Sequence, residues 1–172
     1  MANRMYRKIN SQAALTLVTL AEVKAQCRVF NTFEDTYLTS LIIPYSDLAQ
    51  GYTHRMLTVG EAAVFIEEFC KVIQLPFGEV TAVSEVLVDG VATTEFDFND
   101  ITQKITINVL FDEAKITFSA GYSVVPAVVK QAILVAINTA FVNRDDVVIG
   151  QTVMKLPMTS LDLLDMVKFY GA

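Results

Sequence analysis

Apolar and polar positions follow three different patterns along this chain, and each predicts a different kind of element. Over residues 33–57 apolar side chains recur at i, i+3 and i+4, which predicts a long helix with one apolar face. Over residues 60–120 they alternate with polar neighbours, which is typical of half-buried strands. Over residues 126–143 the chain is apolar nearly all round, which predicts a central or shared helix. The helical core is expected to include Leu38, Leu41, Ile42, Tyr45, Leu48 and Tyr52.

Local signals predict the ends of the first two helices. Thr19 and Glu22 have capping-box spacing, so a short helix is expected from there to about Arg28. Thr32 offers the N-cap of the long second helix. Pro44 lies inside that helix and is expected to bend it near residues 40–41, because it removes one backbone hydrogen bond.

The rest of the chain carries turn and cap signals of its own. Asp89-Gly90 stands between two strand-like runs and predicts a tight hairpin, and Asp112-Glu113 is expected to form a further turn. Four or five antiparallel strands in one small sheet are therefore predicted. Pro126 suits the first position of the apolar helix, and Thr159 or Ser160 suits the N-cap of a last short helix.

These elements predict an α+β fold, a bundle of about four helices with an antiparallel β region inserted between the second and third main helices. The chain of 172 residues is long enough for one such domain. Five segments are expected within it: a loose N-terminal arm (1–15), a helical hairpin (16–58), the inserted β region (59–122), a core helix (123–146), and a loop with a C-terminal docking helix (147–172).

Composition and charge narrow the class of partner. Hydrophobic residues make up 53% of the chain, which is high for a soluble domain and favours large contacts between subunits. Net charge is −6, and no basic run extends beyond Arg4, Arg7 and Lys8, so a surface that grips nucleic acid is not expected. A run of about 18 charge-free apolar residues is also missing, so no membrane span or membrane partner is predicted.

The sequence offers little material for catalysis. His54 is the single histidine, Cys27 and Cys70 lack metal-ligand spacing, and no glycine-rich phosphate loop is present. We therefore predict no catalytic residues, no metal and no cofactor. A metal-dependent hydrolase or small-ligand binder stays open as a minor alternative because four acidic pairs occur: Glu34-Asp35, Glu67-Glu68, Asp112-Glu113 and Asp145-Asp146.

A series of short phrases resembles one protein family in its order and spacing. The phrases are Leu20 to Lys24 with Arg28, Glu34-Asp35 with Leu38 and Leu41-Ile42, Gly51 to Arg55, Leu75-Pro76, Asp89-Gly90, Ala120 to Tyr122, Pro126, Ala132-Ile133, Asn143-Arg144, Leu163-Leu164 and Phe169-Tyr170. Together they are similar to the head–tail connector, or adaptor, family of tailed bacteriophages. The chain departs from the family pattern at Pro44, at His54 and over residues 168–171.

The resemblance implies a structural virion protein, made in the host cytoplasm and located at the neck. Such a protein forms a homo-oligomeric ring, a dodecamer, beneath the portal protein after DNA packaging. The ring extends the DNA channel, lets genomic DNA pass without specific binding, and carries the stopper or a tail-completion protein. The resemblance further implies that Leu161, Leu164, Phe169 and Tyr170 dock on the portal. Another neck or tail-completion protein that contacts the tail is the alternative.

Overall fold

The computed structural model describes residues 4–143 and 159–169. The chain consists of two compact units. The sheet unit takes its described residues from 4–14, 54–124 and Phe169. The helical unit takes them from 15–53, 125–143 and 159–168. The predicted α+β class is confirmed, with four helices and antiparallel sheets among the described residues.

The helical unit contains four helices. They are α1 (Leu20–Cys27), α2 (Asp35–Thr53), α3 (Ala127–Val142) and α4 (Ser160–Asp165). The capping box predicted at Thr19 is present, because its hydroxyl accepts from the Glu22 amide while the Glu22 carboxylate accepts from the Thr19 amide. Arg28 then ends α1 in the left-handed conformation, with φ 56°.

Helix α2 is shorter than the predicted 33–57 and ends where His54 takes a φ of 54°. It continues through Pro44 as one helix. Its buried apolar positions include Leu38 and Ile42, whereas Leu41, Tyr45 and Tyr52 are half-buried. Leu48 shares their helical spacing but is 52% exposed, so spacing alone overestimates how much of this face is covered within one chain.

Helix α3 supplies the centre of the helical unit. Val129, Ala132, Ile133 and Ile137 are all buried on it, and Tyr37 of α2 packs near Phe141 with ring centroids 6.4 Å apart. The four buried side chains recur at i, i+3, i+4 and i+8, so one face carries the core. The apolar residues on its other sides are only partly covered in this chain.

The sheet unit contains eight strands in two antiparallel sheets. The strands are β1 (Arg4–Gln12), β2 (Gly60–Glu67), β3 (Val72–Gln74), β4 (Val80–Val88), β5 (Val91–Ala92), β6 (Phe96–Asn99), β7 (Lys104–Ile107) and β8 (Glu113–Ala120). The first sheet has the order β1-β2-β8-β4-β5, and the second has the order β3-β7-β6. The prediction of a single sheet of four or five strands was therefore too simple.

One hydrophobic core serves both sheets of this unit. In the first sheet Val64 pairs with Ile116, and Ile116 pairs with Val86, so three fully buried side chains lie in one row. Ile73 and Ile105 bring the second sheet into the same cluster. Buried residues recur every second position along β8, at Ala114, Ile116, Phe118 and Ala120, as the predicted spacing of two requires. In the middle of β2 and of β8 the residues between them are buried as well, so the alternation there is incomplete.

The first strand corrects the expectation of a loose arm at residues 1–15. Arg4 to Gln12 pair with β2 along its whole length, from Glu67 to Gly60. Met5 and Ile9 are the strand's partly buried apolar residues, too few to reveal a strand pattern among exposed basic neighbours. Because β1 covers β2, Glu67 lies on an inner strand of the first sheet.

The predicted Asp89-Gly90 hairpin is confirmed between β4 and β5. Both residues have positive φ, 49° and 79°, as a type I′ turn requires. The Asp89 carboxylate also accepts from the amides of Asp112 and Glu113, at 3.0 and 2.9 Å. The Asp112-Glu113 pair therefore marks the start of β8, and the strands on either side of it belong to different sheets.

Candidate functional site

The C-terminal helix α4 has only six residues, but a complete capping box stabilises its N-terminus. The Thr159 amide and hydroxyl both donate to the Asp162 carboxylate at 2.6 Å, and the Asp162 amide donates back to the hydroxyl at 3.4 Å. This capping box supplies hydrogen-bond acceptors for backbone amides at the start of α4, which have no partner within the helix. The sequence prediction of a cap at Thr159 or Ser160 is thus settled in favour of Thr159.

Within the helical unit, Tyr52 of α2 holds the end of this helix. Its hydroxyl donates to the Asp165 carboxylate at 2.8 Å. The Lys168 ammonium lies 4.3 Å from the centroid of the same ring, close enough for a cation–π interaction. One aromatic side chain therefore contacts two residues of the C-terminal segment, one through its edge and one through its face.

Within the sheet unit, Arg55 contacts the next part of the segment. Its guanidinium lies 5.5 Å from the Phe169 ring centroid and 6.0 Å from that of Tyr122, and it pairs with Glu79 at 3.4 Å. Burial raises the pKa of Tyr122, and the Arg55 charge opposes that shift. A Cβ added at Gly78 would lie only 2.6 Å from an Arg55 nitrogen, so glycine makes room for the guanidinium.

The predicted portal-docking residues differ in exposure. Leu161 is 43% exposed, whereas Leu164 is buried at 2% and belongs to the core of the helical unit. Phe169 is half-buried against Arg55. Tyr170 lies outside the described residues. Of the four predicted residues, Leu161 and Phe169 therefore lie within the described structure and keep exposed surface that a partner could contact.

Tyr52 and Arg55 are three positions apart, in the phrase Gly51 to Arg55 that supported the family resemblance. Sequence reasoning placed Tyr52 in the helical core and gave Arg55 no role. The sequence feature that could have indicated this site is the run of aromatic, hydroxyl and basic residues from Tyr52 to Arg55, where α2 ends. Nothing in the sequence linked Tyr52 or Arg55 to the partners Glu79, Tyr122 and Asp165, because these partners lie far away along the chain.

The acidic pairs and the single histidine do not converge. Asp35 pairs with Lys24 at 2.6 Å, His54 is exposed, and Asp145-Asp146 lies outside the described residues. Across residues 4–143 and 159–169, no three His, Cys, Asp or Glu side chains are grouped to hold a metal ion. Over the same residues no helix is long and apolar enough to cross a membrane.

The chain is similar in fold to solved structures from gene transfer agent (GTA) particles. One, described as the neck of an empty GTA particle computed with C6 symmetry, gives a TM-score of 0.73 at 16% identity and covers 97% of both chains. A virion of a native GTA particle gives 0.70 at 17% identity over 96% of both. A native GTA neck with C12 symmetry gives 0.67 at 15% identity over 97% of both. At such identities the likeness establishes the fold.

No curated protein sequence matches the chain. A family does: residues 17–119 match the family described as Phage gp6-like head-tail connector protein. The match begins just before α1 and runs almost to the end of β8, so it includes α1, α2 and the strands from β2 onward. It contains Tyr52 and Arg55, the residues that contact the C-terminal segment. The chain belongs to the family of phage gp6-like head–tail connector proteins.

Proposed function

We propose that this chain is an adaptor subunit that forms a ring, a dodecamer, beneath the portal of a phage-like particle. The ring extends the DNA channel and carries the stopper or tail-completion protein after packaging. The family match over residues 17–119 carries the proposal. Neck structures of similar fold, solved with C6 and C12 symmetry, support a ring in which twelve copies are arranged around the DNA axis.

The composition supports a structural role without chemistry. With 53% hydrophobic residues, the chain is suited to burying surface against copies of itself. Exposed apolar side chains include Phe30, Phe33, Val124, Val142 and Met166, which are more than two-thirds exposed in a single chain. A net charge of −6 suits a channel wall along which DNA must slide without sticking.

The C-terminal segment is proposed to dock on the portal. In the helical unit, Leu161 keeps exposed surface on α4, whose end Tyr52 contacts. In the sheet unit, Phe169 is half-buried beside Arg55. A pre-positioned segment binds with a smaller loss of conformational entropy than a free one. Deletion of residues 158–172 is expected to abolish attachment to portal-bearing heads in a particle-assembly assay, while circular dichroism still reports helices and strands.

A point variant makes the same test finer. Leu161→Ser changes a side chain that is 43% exposed, so it should weaken attachment while lowering the unfolding midpoint only slightly. Ile101→Ser, at a residue that is 88% exposed in the sheet unit, is the matched control and should leave attachment unchanged. Normal attachment by the truncated chain would contradict portal docking. Loss of tail joining with retained attachment to heads would instead favour a neck protein that contacts the tail.

A further inference from the structure

The turn between α1 and α2 displays two phenylalanines to solvent. Phe30 is 93% exposed and Phe33 is 91% exposed, although both are large apolar side chains. Scattered exposed apolar residues are common on protein surfaces, but two almost fully exposed aromatic rings on one turn are characteristic of an interaction site. We call this turn, residues 28–34, the phenylalanine turn.

The backbone of the phenylalanine turn is held in place. Lys24 donates to the Asn31 carbonyl oxygen at 2.7 Å and pairs with Asp35 at 2.6 Å, so one side chain ties the turn to the start of α2. The Asn31 side chain accepts from the Phe33 amide at 3.2 Å. The rings are therefore displayed on an ordered turn, which lowers the entropic cost of inserting them into a partner.

The helical unit also contains a groove of about 380 Å³. It is lined by Tyr45 and Leu48 of α2, by Ala136, Thr139, Ala140 and Asn143 at the end of α3, and by Ser160. The two alanines leave space between the larger side chains. Leu48 is 52% exposed and gives the groove an apolar wall.

Two polar side chains of the groove, those of Thr139 and Asn143, already donate hydrogen bonds within the chain. The Thr139 hydroxyl donates to the Val135 carbonyl oxygen at 2.9 Å, and the Asn143 amide donates to the Thr139 carbonyl oxygen at 3.2 Å. An occupant therefore does not need to satisfy these groups. This favours an apolar occupant, such as an aromatic ring, over a polar ligand.

The turn and the groove cannot meet within one chain. Asp35 begins α2 just after the turn, and Tyr45 lies ten residues further along the same rigid helix, or about 15 Å at 1.5 Å per residue. The turn of one copy can instead reach the groove of another copy. A contact of this kind, between different surfaces of identical subunits, builds a ring when its rotation closes. Two phenylalanines bury roughly 300–500 Å², about half of what one partner contributes to a standard interface.

We propose that the phenylalanine turn of one subunit inserts into the α2–α3–α4 groove of a second copy, and that this contact joins neighbours in the ring. The proposal rests on the proposed function for its ring but concerns a contact that purified protein can form alone. The occupant is a second copy because the same unit carries both an ordered apolar projection and an apolar recess that this projection cannot reach.

Cysteine trapping tests the contact directly, because it captures even a weak association. In a Cys27→Ala, Cys70→Ala background, Phe33→Cys chains are mixed with Ala140→Cys chains and treated with a short bismaleimide. The expected product is a mixed dimer, formed at least tenfold more than with Ile101→Cys in place of Ala140→Cys. Ile101 is an exposed residue of the sheet unit and serves as the matched control. Equal yields with both partners would overturn the proposal.

Complementation tests the arrangement of the two surfaces. Phe30→Ser/Phe33→Ser removes the projection, and Ala140→Trp fills the groove; circular dichroism checks that both variants fold. Neither variant should associate with itself when its size in solution is measured. The mixture should form one-to-one dimers and nothing larger, because only one intact turn and one open groove remain in it. Wild-type-like oligomers from the double serine variant would overturn the contact. Trapping that succeeds while attachment to heads fails would leave this contact standing and count against the proposed function.

Discussion

The hydroxyl of Tyr52 donates to the Asp165 carboxylate at 2.8 Å, across 113 positions of sequence. This hydrogen bond joins the end of α2 to the end of α4 within the helical unit. Helix α4 has only six residues, so its stability depends on such tertiary contacts. The bond therefore controls how well the proposed portal-docking helix is ordered before it meets a partner.

Tyr52→Phe should loosen α4. Loss of one hydrogen bond to a charged acceptor costs about 1.5–3 kcal/mol, and the exposure of this one favours the lower end. Amide hydrogen exchange over residues 160–168 is expected to accelerate about tenfold, with little change in the β strands. Tyr45→Phe is the matched control, since among the described residues no hydrogen bond is recorded for the Tyr45 hydroxyl. Unchanged exchange in Tyr52→Phe would show that the capping box and the burial of Leu164 hold the helix without this hydrogen bond.

Gly121→Ala should be strongly destabilising. Gly121 follows β8 with φ 112°, and an added Cβ would collide with the Thr58 carbonyl oxygen. Strain and collision together should lower the free energy of unfolding by roughly 2–4 kcal/mol. Gly51→Ala is the contrasting variant, since it lies in α2 with open space around the new methyl, and should gain about 0.5–1 kcal/mol. Urea unfolding midpoints would separate the two, and equal effects would refute the explanation.

The capping box of α1 should make part of the stability depend on pH. The Thr19 amide donates to Glu22 at 2.7 Å and its hydroxyl donates at 2.8 Å, and these bonds lower the pKa of the Glu22 carboxyl. A lowered pKa means that this stabilisation is complete above the unfolded value, about 4.3, and is lost as pH falls through the folded one. Glu22→Gln should therefore be less stable than the wild type at pH 7, and the difference should shrink by pH 3.

Thr19→Ala removes the other half of the same box. Without the hydroxyl, the Glu22 amide loses its acceptor at 3.2 Å, and the expected cost is about 1 kcal/mol in urea unfolding at pH 7. Thr19→Ser keeps the hydroxyl and should stay close to wild type. If alanine and serine behave alike, the cap contributes nothing measurable to the fold.

Arg55→Ala should release Phe169. The guanidinium lies 5.5 Å from the Phe169 ring centroid, and its loss removes one wall of that ring's site. Chymotrypsin cleavage after Phe169, followed by mass spectrometry, is expected to accelerate several-fold. Cleavage after Phe30, which is 93% exposed already, provides an internal control that should not change. A Phe169 site that stays equally protected in the variant would mean that Arg55 does not hold the ring.

The helices and the β4–β5 hairpin were largely predictable because the sequence signals that specify them are local. The Thr19 capping box, the Asp89-Gly90 turn and the apolar face from Leu38 to Ile42 each depend on residues within one or two turns of chain. The two-sheet arrangement was not predictable, since nothing in β7 or β8 specifies that they pair with different neighbours. Strand β1 was missed because an edge strand with few inward apolar residues resembles a polar arm.

The candidate site was predictable only in part. Spacing placed Leu161 and Leu164 on one helix, but it could not indicate that Leu164 is buried and Leu161 exposed. Arg55 was overlooked because its partners, from Glu79 to Phe169, come together only after the chain has folded. Tertiary contacts between distant residues decide which side chains stay available, and a single sequence does not record them.

Strand β1 has a consequence for the order in which the chain folds. Its partner β2 lies downstream of the helical hairpin, with Gln12 opposite Gly60 and Arg4 opposite Glu67, 48 and 63 positions apart, so β1 cannot pair until the hairpin has been made. Long-range strand pairing of this kind is slow and leaves an unpaired strand exposed meanwhile. Basic side chains on an edge strand discourage pairing with another chain, and Arg4, Arg7 and Lys8 put three such charges on β1.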